Sequence, residues 1–143
     1  MTIMKPKTLR GIQLFWSYFI GIGALAGALG MFCSFAGMEG MLPPMREKLP
    51  MFDVMLRNLT WPGVALLCAN CIPNAVAIVL IHGNKAAGKW MSLACGIILM
   101  LWISVEFYIF GFPALCIIYM AFGVLQTLGA ILWIRSLRRS ALV

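Results

Sequence analysis

The chain reads as an all-α, polytopic membrane protein, a bundle of four transmembrane helices, on three observations. Residues 11 to 134 hold four apolar stretches, each near or above the roughly 20 residues a helix needs to cross a bilayer core. Charged residues are 10% of the 143 and mean hydropathy is +0.99, far from the roughly 25% charge of soluble domains. Hydrocarbon offers the backbone no water, so a chain this short and apolar must pair its own N–H and C=O groups within helices. Residues 1–143 leave no room for a soluble module beside four spans, and a single membrane domain is expected.

The first span is expected from about Gly11 to Ala36, entered through a segment bearing Lys5, Lys7 and Arg10. A secretory signal also starts basic, but its apolar core is only about 7–15 residues and this run is longer. The second span, Trp61 to His82, opens on Trp61-Pro62-Gly63; proline suits a first helical turn, where its missing N–H is not needed. The third covers Ala87 to Phe110 and the fourth Pro113 to Ile134, with Gly111-Phe112 as the turn between them. Helices joined so closely are antiparallel neighbours.

Residues 37–60 form the one long connection. Met41-Leu42-Pro43-Pro44 is expected to break any continuing helix, and Pro50 to limit the next. Residues 51–59 carry apolar side chains at helical spacing with Asp53 and Arg57 four apart. That pattern fits a short helix lying on the membrane surface or a lid over a cavity. Asn58-Leu59-Thr60 matches the glycosylation acceptor pattern but lies close to the membrane.

Lys and Arg resist translocation whereas Asp and Glu contribute little. Lys5, Lys7, Arg10, Lys85, Lys89, Arg135, Arg138 and Arg139 therefore belong on one side, and the expectation is a multi-pass inner-membrane protein with both termini cytoplasmic. The long connection balances Arg46, Lys48 and Arg57 against Glu39, Glu47 and Asp53, and Glu106 completes the formal +7. Each basic group sits near a span end, where it gains roughly 1 kcal/mol from an anionic leaflet; nucleic acid is not the partner this charge implies. Trp16, Tyr18, Trp61, Trp90 and Trp133 fall near the expected interfaces, as an aromatic belt would.

Helix association in lipid leans on close backbone packing and interhelical hydrogen bonds. Gly23-Ala24-Leu25-Ala26-Gly27 is a G-x-x-x-G extended by Gly30 and Ser34, Ser17 and Gly21 mark a second small stripe, and Gly123, Thr127 and Ala130 form a ridge on the fourth span. Packing within one chain is the favoured use, and a homo-oligomer through Gly23, Gly27 and Gly30 the alternative.

An ionisable side chain inside a span points to function, because even the gentlest scales charge about 2.5–3.5 kcal/mol for Asp, Lys or Arg at a helix centre. Glu106 is the acid in this position, one to two turns below the outer surface, and no span offers it a Lys or Arg. Asn70 and Asn74 share a face of the second span, and Tyr119 and Gln126 a face of the fourth. With Trp102, Ser104 and Tyr108 they are expected to line a polar pocket in the outer half of the bundle. The bland alternative is that the amides only tie helices together.

Cys68-Ala69-Asn70-Cys71 is a C-x-x-C, and four-span thiol oxidases and vitamin K epoxide reductases use paired cysteines near the outer face. The disulfide-forming class adds a second pair in an outer loop; this outer loop has none, and five cysteines in so apolar a chain read mainly as small hydrophobes. His82, without a second His or a nearby acid, gives metal binding nothing to build on. The sequence carries no phosphate-cradling glycine loop and no serine–base pair, and no cofactor is expected. Small multidrug exporters also lean on one membrane Glu, but in their first helix.

From Gly40 to about Gly129 the chain resembles a set of small, functionally uncharacterised bacterial four-span membrane proteins. The resemblance rests on Pro43-Pro44, Pro62-Gly63, Asn70 and Asn74, Trp102-Ile103-Ser104-Val105-Glu106, and Gly123 with Gln126. It implies a bacterial inner membrane and no particular activity. The leading expectation is a protein that binds or transports an amphipathic or cationic small molecule, or a lipid, around Glu106. The rivals are an enzyme using Glu106 as acid or base on a lipid-soluble substrate, and a structural or regulatory subunit.

Overall fold

The computed structural model describes residues 4–35 and 37–142; Ala36, the expected end of the first span, lies outside them. The described residues hold helices and turns and no strand. Four helices are long and apolar enough to cross a membrane, Pro6–Phe32, Thr60–His82, Ala87–Phe110 and Ala114–Ser140.

Helix α1 (Pro6–Phe32) begins before the expected Gly11, because Pro6 in its first turn fixes a helical φ after an extended Lys5. Its end is closed by a Schellman motif: the N–H of Phe35 reaches the Gly30 carbonyl at 3.1 Å and that of Ser34 the Met31 carbonyl at 3.3 Å. Ser34 takes the left-handed conformation, φ 49°, where glycine is usual.

The long connection departs from expectation in two ways. Pro43 and Pro44 start a helix, α2 (Leu42–Lys48), since proline is tolerated in a first turn as well as being a breaker. Residues 51–59 form no continuous helix: Pro50–Phe52 and Met55–Arg57 are separate 3-10 turns. Asp53 lies 3.8 Å from Arg46 rather than pairing with Arg57. Leu56 and Leu59 turn inward, and Met51, Phe52, Val54 and Met55 stay exposed.

The second long helix is α3 (Thr60–Leu66) and α4 (Ile72–His82), joined through one π-helical turn, Leu67–Cys71. Pro73 has no N–H to return to Ala69, and the ladder passes this gap through a wider turn in which the Ile72 N–H reaches Leu67. At the far end Asn84 adopts φ 51°, Lys85 N–H closes on Leu80 at 2.9 Å, and the Arg10 guanidinium caps the Ile81 carbonyl at 2.9 Å.

Helix α5 (Ala87–Phe110) has the expected bounds, and α6 (Ala114–Ser140) runs past Ile134 to carry Arg135, Arg138 and Arg139 in its last turns, where cations complement the helix dipole. α1 packs against α3, α4 and α6, and α5 against α4 and α6. The α5–α6 seam is close: a Cβ on Gly123 would stand 2.8 Å from Met100. A Cβ on Gly23 or Gly27 would meet Tyr119 at 3.0 Å or Leu66 at 3.1 Å, so this stripe is filled by the chain's own helices. Phe15, Ile22, Leu101 and Leu115 are exposed on the outside of the packed helices, as lipid-facing positions are.

Candidate functional site

The buried polar side chains gather along one line through the helix packing. Near its middle the Gln126 side-chain N–H donates to Asn74 Oδ1 at 3.2 Å, and Asn74 Nδ2 donates back to the Asn70 carbonyl at 2.7 Å. That second bond occupies a carbonyl inside the π turn, where the regular ladder is disturbed. Gly21 of α1 lets Asn74 come close; a Cβ there would stand 3.3 Å from the Asn74 Cβ.

From Gly21 the same face of α1 continues through Ser17 to Gln13, about 12 Å along the axis at 1.5 Å per residue. Gln13 accepts a hydrogen bond from the Ser92 hydroxyl of α5, and its amide nitrogen lies against Gly129 of α6. Gln13, Ser17, Asn74, Ser92 and Gln126 are fully buried and Asn70 is 1% exposed. Gln13 and Ser92 were not among the expected site residues, although Gln13, Ser17 and Gly21 at four-residue spacing are a signal of a polar helix face.

This line also holds the unmet hydrogen-bonding capacity. Among the described residues, the buried side-chain nitrogen and oxygen atoms without a partner are Arg10 Nε, Gln13 Nε2, Ser17 Oγ, Gln126 Oε1 and both polar atoms of Asn70. Arg10, Gln13 and Ser17 follow one another on α1, and Asn70 and Gln126 flank Asn74. An unpaired buried polar atom costs about 1–3 kcal/mol, and buried waters in proteins typically bond otherwise unsatisfied polar groups.

Glu106 stands apart and is partnered. Trp102, one turn earlier on α5, donates its indole N–H to Oε1 at 2.6 Å, and the Cys116 thiol of α6 donates to Oε2 at 3.1 Å. The short Gly111-Phe112-Pro113 connection, pinned by Phe107 against Phe112 with ring centroids 4.7 Å apart, sets the register that brings Cys116 there. Glu106 is half-buried. It stands about 15 Å along α5 from Gly96, whose neighbour across the seam is Thr127, next to Gln126. The expected single pocket is thus two places, a carboxyl held inside the α5–α6 hairpin and an amide cluster deeper between α1, α4 and α6.

The remaining expected residues divide between them or fall outside. Tyr119 packs with Trp102 against Ile20, Leu99, Ile103 and Cys116, on the Glu106 side. Ser104 is exposed and returns its hydroxyl to the Met100 carbonyl of its own helix at 2.8 Å. Tyr108 is exposed, with the Lys48 ammonium 5.9 Å from its ring centre. Cys68 and Cys71 are free thiols, the first exposed and the second half-buried, on a π turn in which residues three apart diverge more around the axis than in an α-turn. His82 meets the Tyr18 hydroxyl at 3.2 Å. No three His, Cys, Asp or Glu side chains converge to hold a metal ion among the described residues.

Comparison of the chain with protein-family models, curated proteins and solved structures finds no match.

Proposed function

We propose that this is a small multi-pass protein of a bacterial inner membrane, an antiparallel bundle with both termini cytoplasmic, that binds or transports an amphipathic or cationic small molecule. Asn70, Asn74 and Gln126 are the binding groups in the interior, and Glu106, held by Trp102 and Cys116, is the acid nearer the long connection. One observation carries the reading: the unpartnered buried polar atoms of the described residues fall on one line through the helices instead of being scattered. A guest with hydrogen-bonding groups, or a water file replaced by it, satisfies those atoms, and a purely structural set of amides would be expected to close on itself.

The test uses purified protein in lipid vesicles and ethidium, an amphipathic cation whose aromatic amino groups donate hydrogen bonds, as probe. Binding or uptake is expected to fall at least tenfold in Asn70→Leu and in Gln126→Leu, and by less in Glu106→Gln. Undiminished binding and uptake in both amide variants would overturn the reading in favour of a structural subunit.

A further inference from the structure

A cavity separate from the polar line lies where the long connection meets the ends of α1 and α3. It is half open to the outside with a volume of about 660 Å³, and Glu39, Leu42, Pro43, Arg46, Arg57 and Leu59 are among the residues that line it. That volume is within the roughly 300–1,000 Å³ of small-molecule sites. Its walls combine two guanidinium groups, one carboxylate and an aliphatic side.

The two arginines are differently placed. Arg46 is fixed by its Nε, which donates to the Leu56 carbonyl at 2.7 Å and lies 3.8 Å from Asp53, and its terminal nitrogens remain available. Among the described residues no acceptor pairs with Arg57. Guanidinium groups grip phosphate oxygens in a two-pronged geometry that an ammonium does not reproduce.

The depth of the cavity selects among phosphates. α1 ends at Phe32 and α3 begins at Thr60, so the cavity sits at the mouth of two apolar helices, at the level of lipid headgroups. Exposed apolar side chains on the segments that form it and flank it include Phe35, Met51, Phe52, Val54 and Trp61, a set that suits an interface better than bulk water. Ser34, which adds its side chain to the lining, occupies a left-handed position where a glycine would be easier.

We propose that this cavity binds the phosphodiester headgroup of a membrane phospholipid. Arg57 and the free edge of Arg46 take the phosphate, Leu42, Pro43 and Leu59 take the start of the acyl chains, and Glu39 faces the polar substituent beyond the phosphate. This site does not depend on the interior polar line.

The experiment is native mass spectrometry and calorimetric titration of the full chain in a neutral detergent with a short-chain phosphatidylglycerol, a diacylglycerol of equal chain length, and inorganic phosphate with glycerol 3-phosphate. The phospholipid is expected to bind, the diacylglycerol at least tenfold more weakly, and the soluble phosphates neither to bind nor to displace the lipid at millimolar concentration. Arg57→Gln is expected to lower phospholipid affinity at least tenfold with an unchanged unfolding midpoint, because Arg57 holds no partner in the fold; Lys85→Gln, at the opposite end, is the control. Equal retention of phospholipid and diacylglycerol, or unchanged affinity in Arg57→Gln, overturns the proposal. Displacement by inorganic phosphate overturns the lipid assignment in favour of a soluble phosphoester.

Discussion

The carboxyl of Glu106 and the amides of Asn70, Asn74 and Gln126 solve opposite halves of one problem. By cost in hydrocarbon the acid should be the harder group to bury, yet both its oxygens are engaged, by Trp102 and Cys116, and it is only half-buried. The cheaper amides are wholly buried and carry unmet donors and acceptors. An ionisable group is thus hydrogen-bonded locally, inside one helical hairpin, while the open hydrogen-bonding capacity lies where three helices meet. On the function proposed above, a guest would gain more at the second place than at the first, which puts the proposed binding position at the amides and not at the acid.

The largest effect that tests this contrast is on the satisfied side. Glu106→Leu strands the Trp102 indole N–H and the Cys116 thiol together, and a loss of about 2–3 kcal/mol is expected, read as a lowered midpoint of unfolding in mixed detergent micelles. Trp102→Phe in the same background should then cost almost nothing further, since its acceptor is already gone. Additive losses in the two variants would mean that the indole–carboxyl bond contributes little, and the contrast would collapse.

That partnership was only half legible in the amino-acid sequence. Trp102 and Glu106 are four apart on one helix, and spacing alone places them on one face. Cys116 lies on another helix, and its approach depends on the register set by the Gly111–Pro113 connection, which no local pattern encodes. The ends of α5 are legible because Lys85 and Lys89 mark its start and the Gly111-Phe112-Pro113 turn breaks the apolar run at its end. α1 starts at Pro6, before the expected Gly11, because the charges of Lys7 and Arg10 mask a helical first turn that Pro6 initiates, and the helix closes at Phe32. The π turn followed from Pro73, a residue inside a strong apolar run whose hydropathy hid its backbone consequence. Pro43 and Pro44 read as breakers in the sequence, and in the fold they open α2; the same missing N–H ends one helix and begins another. The polar line was passed over because Gln13 and Ser92 are uncharged and sit on separate helices, so only packing unites them.

The unsatisfied side predicts the opposite sign. Asn70→Leu removes two buried polar atoms that no described residue partners and puts in their place a branched side chain. In a protein without guest, stability is expected to stay level or to rise by about 1 kcal/mol, because the orphaned groups no longer pay for desolvation. Gln126→Leu breaks the bond to Asn74, and a loss of about 0.6 kcal/mol, the usual size of an interhelical hydrogen bond in lipid, is expected. A drop of more than 2 kcal/mol in Asn70→Leu would show that the Asn70 side chain is already well paired, and would move the binding position away from the amides.

The smallest effect bounds the site from outside. Ser104 shares the Trp-Ile-Ser-Val-Glu segment with Glu106, two residues away in sequence, but that offset turns it to another face of α5. There it is exposed and its hydroxyl is spent on the Met100 carbonyl of its own helix. Ser104→Ala should therefore change stability by less than about 0.5 kcal/mol and leave ethidium binding unaltered, in the same assays that register the amide variants. A clear binding defect in Ser104→Ala would mean that this outer face of α5 meets the guest, and that the carboxyl hairpin rather than the amide cluster is where the molecule is held.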